Sequence, residues 1–137
     1  MNELDAELPD PSIVMEWLRI AEGDLKLSQI AEREGLFEQA CFHAQQSAEK
    51  HMKALLVARG IAPAKTHELP RLYLDLLRSG IDLGLDAELV DRLSRHAVAP
   101  RYPGLAPEKL GRPDALQAIA DAGAVKLAVE KRLRAVW

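Results

Sequence analysis

Four histidines, His43, His51, His67 and His96, give this chain most of its scope for proton-transfer or ligand chemistry near neutral pH. His43 and His51 are eight residues apart, so they share one face of a helix but sit about 12 Å apart along its axis. That is too far to chelate one ion, and no metal is expected. His67 follows Thr66, a good helix cap. An imidazole there would meet the positive end of a helix, where anions are held. Arg101 and Tyr102 lie within Pro100-Arg101-Tyr102-Pro103-Gly104, a conformationally fixed stretch. An arginine held in this way offers a planar donor fork that matches phosphate. Lys50 and Lys53 add charge nearby. His67, Arg101, Tyr102, Lys50 and Lys53 therefore form a candidate nucleotide or phosphate site.

Each of these readings has a structural counterpart. Arg101 can cap helix carbonyls, Tyr102 can seal a core, and Glu49 and Lys53 make an ordinary i,i+4 pair. His43, Gln46, Glu49, Lys50 and Lys53 read together as the polar side of one helix. No glycine-rich phosphate loop and no nucleophile–base signature is present.

The elements that must position these residues are helices. Leu and Ala make up 43 of 137 residues, whereas Val, Ile and Thr total 14. That balance favours helix over strand. After an acidic arm (1–12), which is expected to be flexible, a single domain is expected over 13–137. A first helix, from about Ile13 to Glu34 with Ser12 as cap, buries Val14, Leu18, Ala21, Leu25 and Ser28. A second, from about Leu36 to Arg59, buries Phe37, Ala40, Cys41, Ala44, Ala48, Met52, Leu55 and Leu56. Gly35 and Gly60 end the two. A third is predicted from about His67 to Arg78, its start able to slip to Leu69 because of Pro70. A fourth runs from about Asp86 to Val98. Residues 99–113 read as a loop. A fifth starts near Asp114 or Pro113 and runs toward Trp137, with Leu116, Ile119, Ala120, Gly123 and Leu127 as its core stripe. The expected fold is all-α: an antiparallel up-and-down bundle of four main helices with a shorter fifth. In that bundle the end of helix two, the start of helix three and the end of helix four should meet.

The net charge of −3 argues against a strongly basic nucleic-acid binder, although residues 35–113 carry +2 against −6 in residues 1–34. The single Cys41 excludes an intrachain disulfide. There is no long apolar run for a membrane span and no apolar signal core at the start, so a cytoplasmic location is expected. Trp17, Ile20, Leu27 and Phe42 lie beside the main stripes, and apolar residues left outside a core mark an interface, so a homodimer is expected.

Three segments resemble the HEPN domain family in order and spacing over about residues 13–135: the run Cys41 to Leu56 (Cys-Phe-His-Ala-Gln-Gln-Ser-Ala-Glu-Lys-His-Met-Lys-Ala-Leu-Leu), Thr66-His67-Glu68-Leu69, and Arg101-Tyr102-Pro103. The resemblance implies the helical bundle, frequent dimerisation, and partnership with a small nucleotidyltransferase in a two-gene module resembling toxin and antitoxin, with nucleotide binding. Many members are metal-independent ribonucleases whose motif is an arginine, four to six residues, then a histidine. Here three residues separate Arg92 from His96 and seven separate Arg59 from His67. The chain thus looks like the branch without that motif. The expectation is a nucleotidyltransferase partner that binds nucleotide or phosphate and needs no cofactor. The alternatives are a ribonuclease toxin acting on RNA through Arg92 and His96 or His67, as acid–base groups with arginine stabilising the phosphorane, or a ligand-free helical adaptor.

Overall fold

A computed structural model describes residues 10–97 and 109–136. Every regular element among them is helical: α1 (Pro11–Arg33), α2 (Phe37–Ala58), α3 (Leu69–Arg78), α4 (Ala87–Ser94) with a 3₁₀ turn at Arg95–Ala97, and α5 (Arg112–Val136). Arg101 and Tyr102, together with the rest of 98–108 and of 1–9, lie outside the described residues.

Helix α1 starts two residues earlier than the sequence suggests. Asp10, not Ser12, is the cap; its carboxylate accepts the Ser12 N–H at 2.9 Å, and Pro11 takes the first turn. The ends of α1 and α2 follow expectation. Gly35 (φ 78°) and Gly60 (φ 77°) adopt the left-handed conformation. The next residue in each case, Leu36 or Ile61, donates back to a carbonyl of the last turn, Ala31 or Leu56, at 2.8 and 2.9 Å.

Helix α2 is the axis of the molecule. Of the predicted stripe, Ala40, Cys41, Ala44, Ala48, Met52, Leu55 and Leu56 are fully buried, and Phe37 packs against them partly buried. Gln45, Ser47 and His51 are fully buried as well, and Glu49 and Lys53, on the side that reads as solvated, are nearly so. Helices α1 and α5 pack along α2, and α3 and α4 complete its enclosure. The small Ala and Cys side chains let the neighbouring backbones approach closely.

For α5 the structure corrects the predicted core face. Ala115, Ala118, Ala122, Val125 and Val129 are buried, whereas Leu116 and Leu127 are exposed. Two apolar stripes lie side by side on this helix. The slimmer one fits against the alanine-lined α2, so the leucines face outward.

Four helices alternate in direction. Arg112, at the start of α5, reaches the Glu32 carbonyl near the end of α1 at 3.2 Å, while Leu133 packs with Val14 and Trp17 near the start of α1. Helices α1 and α5 are therefore antiparallel. Helix α3 is inserted in the connection from α2 to α4 and runs parallel to α2. The His67 carbonyl, just before α3, accepts from Gln45 in the first half of α2 at 2.7 Å, and the Ser79 carbonyl after α3 accepts from Arg59 at the end of α2 at 2.7 Å. The expected meeting of three helix ends is thus half met. The start of α3 does meet the end of α4, with the Leu69 N–H donating to Ser94 Oγ at 3.0 Å. The end of α2 instead meets the end of α3. Residues 59–68 make the difference: ten largely non-helical residues reach about 30 Å when extended, enough to run back beside α2.

Candidate functional site

The return of residues 59–68 sets His67 over the middle of α2. Helix α3 begins at Leu69 with Glu68 as cap, so His67 stands two residues outside it rather than in its first turn. Pro70 explains the shift: it is accommodated only in a first turn, and it biases Leu69 away from a continuing helix. Thr66 closes a local turn through Oγ1, which accepts the Glu68 N–H at 3.1 Å.

Beneath His67 lies a buried polar network. Glu49, 3% exposed, accepts from His67 Nδ1 at 2.8 Å through Oε1 and from Lys53 Nζ at 3.0 Å through Oε2. Gln46 Nε2 donates to Gln45 Oε1 at 2.8 Å and approaches Glu49 Oε1 at 3.4 Å. Gln45, fully buried, holds the His67 backbone through its carbonyl. The Lys53 ammonium also lies 5.9 Å from the centre of the Trp17 ring on α1. The His67 side chain itself is 69% exposed. The outcome is a solvent-facing imidazole whose backbone and Nδ1 are both held from the core.

The other predicted residues divide around this point. Lys53 joins His67 through Glu49. Lys50 does not: it donates to Asp24 of α1 at 2.5 Å, and the same carboxylate lies 3.1 Å from His43 Nδ1. Each lysine is therefore matched by a carboxylate. The start of α3 offers no free amide either. Leu69 N–H is taken by Ser94, residue 70 is proline, and the Arg71 and Leu72 N–H groups turn back to the Glu68 carbonyl. An open depression here is lined by Glu68, Pro70, Asp91, Ser94, Arg95 and Ala97, a mixed set with two carboxylates.

Arg92 and His96 occupy a different place. Arg92 forks onto Asp121 of α5 at 2.7 and 2.9 Å, and Gln117 donates to the same carboxylate at 2.9 Å. His96 lies in the 3₁₀ turn after α4 ends at Ser94, so a continuous helical face does not link the two. Burial pushes the His96 pKa down. Between α1, α2 and α5 the fourth histidine, His51, is fully buried; its Nδ1 is 3.0 Å from the Ser47 carbonyl, and its Nε2 has no hydrogen-bond partner among the described residues. Cys41 is buried and its thiol is pushed up to about 11, first by desolvation, so it is not a nucleophile here. Among the described residues no three His, Cys, Asp or Glu side chains are grouped to hold a metal, and no helix is long and apolar enough to cross a membrane.

Sequence reasoning missed Glu49 as the organiser of this site. The available signal was that α2 carries small or apolar residues on nearly every side, which marks a central helix whose polar residues must find partners inside.

Comparison with known proteins gives one family model, HEPN domain, matching residues 14–133. Among solved structures the chain is similar to TT1696 from Thermus thermophilus, at 30% identity and a TM-score of 0.75 over 87% of this chain and 97% of that one. It is also similar to ST0689, an archaeal HEPN homologue, at 26% identity and 0.68 over 88% and 97%. A third is a HEPN domain protein from Thermotoga maritima, at 26% and 0.51 over 88% and 93%. No curated protein sequence matches.

Proposed function

From the premise that this chain belongs to the HEPN domain family, we propose that it is the partner of a small nucleotidyltransferase and binds a nucleotide at the His67 surface. One observation carries the reading: an exposed imidazole is held from below by Glu49, whose side chain is 4% exposed. Stability alone is a poor account of that arrangement. Buried ion pairs such as Glu49–Lys53 are commonly matched or bettered in stability by apolar residues of similar size. What the pair does here is support a surface group, locking the His67 ring in one geometry. The nucleotidyltransferase partnership and the toxin–antitoxin role rest on what the family resemblance implies. A second copy of the chain is proposed to cover the outer face of α1.

Calorimetric titration with AMP and ATP tests the site. Wild type should bind, and His67→Ala should weaken binding by about three- to tenfold, the worth of one hydrogen bond between neutral groups. Co-purification with a nucleotidyltransferase encoded beside this gene tests the partnership. A wild type that binds neither nucleotide ends the nucleotide reading, and RNA cut by the purified protein replaces it with the nuclease one.

A further inference from the structure

The network under His67 decides which part of a ligand the ring can recognise. Three donors converge on the Glu49 carboxylate: His67 Nδ1 at 2.8 Å, Lys53 Nζ at 3.0 Å and Gln46 Nε2 at 3.4 Å. An ionised carboxylate only accepts hydrogen bonds, so the proton of a neutral His67 ring must sit on Nδ1. Its Nε2 then carries a lone pair and no hydrogen. Because the ring is 69% exposed while its carboxylate partner is 4% exposed, the outward half of the ring is the half that meets a ligand.

The charge around the ring points the same way. Lys53 is matched by Glu49 and Lys50 by Asp24. The first amides of α3 are already bonded to Ser94 and Glu68. Among the described residues, what faces solvent at His67 is thus an acceptor whose neighbouring lysines on α2 are already paired, which suits a hydroxyl better than a phosphate. Building on the nucleotide reading above, we infer that Glu49 is a positioning residue that fixes the His67 tautomer, and that His67 Nε2 accepts a hydrogen bond from a ribose hydroxyl of the bound nucleotide.

Two measurements decide it. The first needs no ligand. Long-range ¹H–¹⁵N NMR correlations at pH 8, with the His67 signals assigned by their loss in His67→Ala, should show protonated Nδ1 and bare Nε2. In Glu49→Gln, Lys53 claims the amide oxygen and turns the amide NH₂ toward Nδ1, so the ring should switch to the Nε2-protonated form. A wild-type ring already protonated on Nε2 overturns the inference whatever the variant does, including if Glu49→Gln fails to fold. The second measurement is calorimetry with AMP, adenosine, 2′,3′-dideoxy-AMP and inorganic phosphate. AMP and adenosine should bind, the dideoxy compound about three- to tenfold more weakly than AMP, and His67→Ala should erase that difference. AMP binding that is indifferent to the hydroxyls, or displaced by phosphate alone, overturns the inference and leaves the nucleotide reading standing. No binding of any nucleotide removes that reading and the ligand half of this one together.

Discussion

His51 shows what a single side chain does when the fold buries it without a complete set of partners. Its Nδ1 donates to the Ser47 carbonyl one turn earlier on α2, and its Nε2 is orphaned, with Glu22 Oε1 of α1 3.8 Å away. Lys126 and Glu130 face it from α5, and Glu22 is itself paired with Lys126 at 2.9 Å. Desolvation outweighs these charges and holds the His51 pKa below its ordinary 6.5. Burial moves His96 in the same direction. The sign follows directly. As pH falls below about 6.5, the unfolded chain takes up protons that the folded chain refuses. Stability should then decrease, levelling off only once the folded histidines titrate; a tenfold difference in proton affinity between the folded and unfolded chain is worth about 1.4 kcal/mol. Asp10, Glu16 and Asp82, whose carboxyls are held below their ordinary values by hydrogen bonds from Ser12, Arg19 and Gly84, lose their contribution only at lower pH. The melting temperature should therefore drop between pH 7.5 and 5.5. His51→Gln, which keeps a donor for Ser47, should flatten part of that drop and leave the part due to His96. An unchanged slope in the variant would refute the role given to His51.

At the scale of elements, the start of α3 is the junction that positions the site, and it is capped from outside its own segment. Glu68 makes no side-chain cap, and Ser94 Oγ at the end of α4 accepts the Leu69 N–H at 3.0 Å. Leu69 is fully buried, so its amide has no recourse to water. Ser94→Ala should cost about 1–2 kcal/mol, the range for a lost cap and an unsatisfied buried donor. Urea unfolding measures it, and a variant within about 0.5 kcal/mol of wild type, the ordinary range for an inconsequential surface change, would mean that the Ser94 contact is incidental. This cap also marks where sequence reasoning stops. The stripes of α1 and α2, their closing glycines and the first-turn place of Pro70 depend on residues close in the chain, and all were legible. So was His67 as a candidate site residue. Glu49 was readable only as a partner of Lys53, because its burial is imposed by α1 and by the returning 59–68 segment, distant in sequence. The α5 core face failed for a related reason. Both of its stripes are apolar, and only the alanines of the facing α2 decide that the slimmer one packs inside.

Considered whole, the molecule keeps most of its large apolar side chains inside, and the longest line of exceptions runs along α1. On α5, Leu116 and Leu127 face out, 52% and 69% exposed. On α1, Met15 stands apart at 59% exposed, and four others fall in a line: Ile13, Ile20 and Leu27 repeat every seven residues, with Ile30 three further on. Their exposures run from 38% to 50%. Scattered exposed leucines need no explanation, but a line at heptad spacing is what one helix presents to another. Gly23 lies between Ile20 and Leu27, and a Cβ placed on it would meet nothing within 4 Å, which leaves room for a second backbone to approach. The two aromatic residues grouped with this face in the sequence are partly absorbed by the monomer. Trp17 packs against the cluster of Val14, Ala54 and Ala58, and Phe42 sets its ring edge-on to His43, 5.2 Å between centroids. The surface offered to a partner is therefore aliphatic and runs nearly the length of α1. In the dimer proposed above, a second copy of the chain would lay its own α1 along the same line, since a two-fold contact pairs one patch with itself. Light scattering at tens of micromolar should then report twice the 15.1 kDa chain mass. Lysine at both Ile20 and Leu27 should return the protein to the chain mass with its helicity intact, because neither side chain contributes to the buried core. A wild type that stays at the chain mass throughout that range, or a double variant that remains dimeric, rules out the α1 face as the contact.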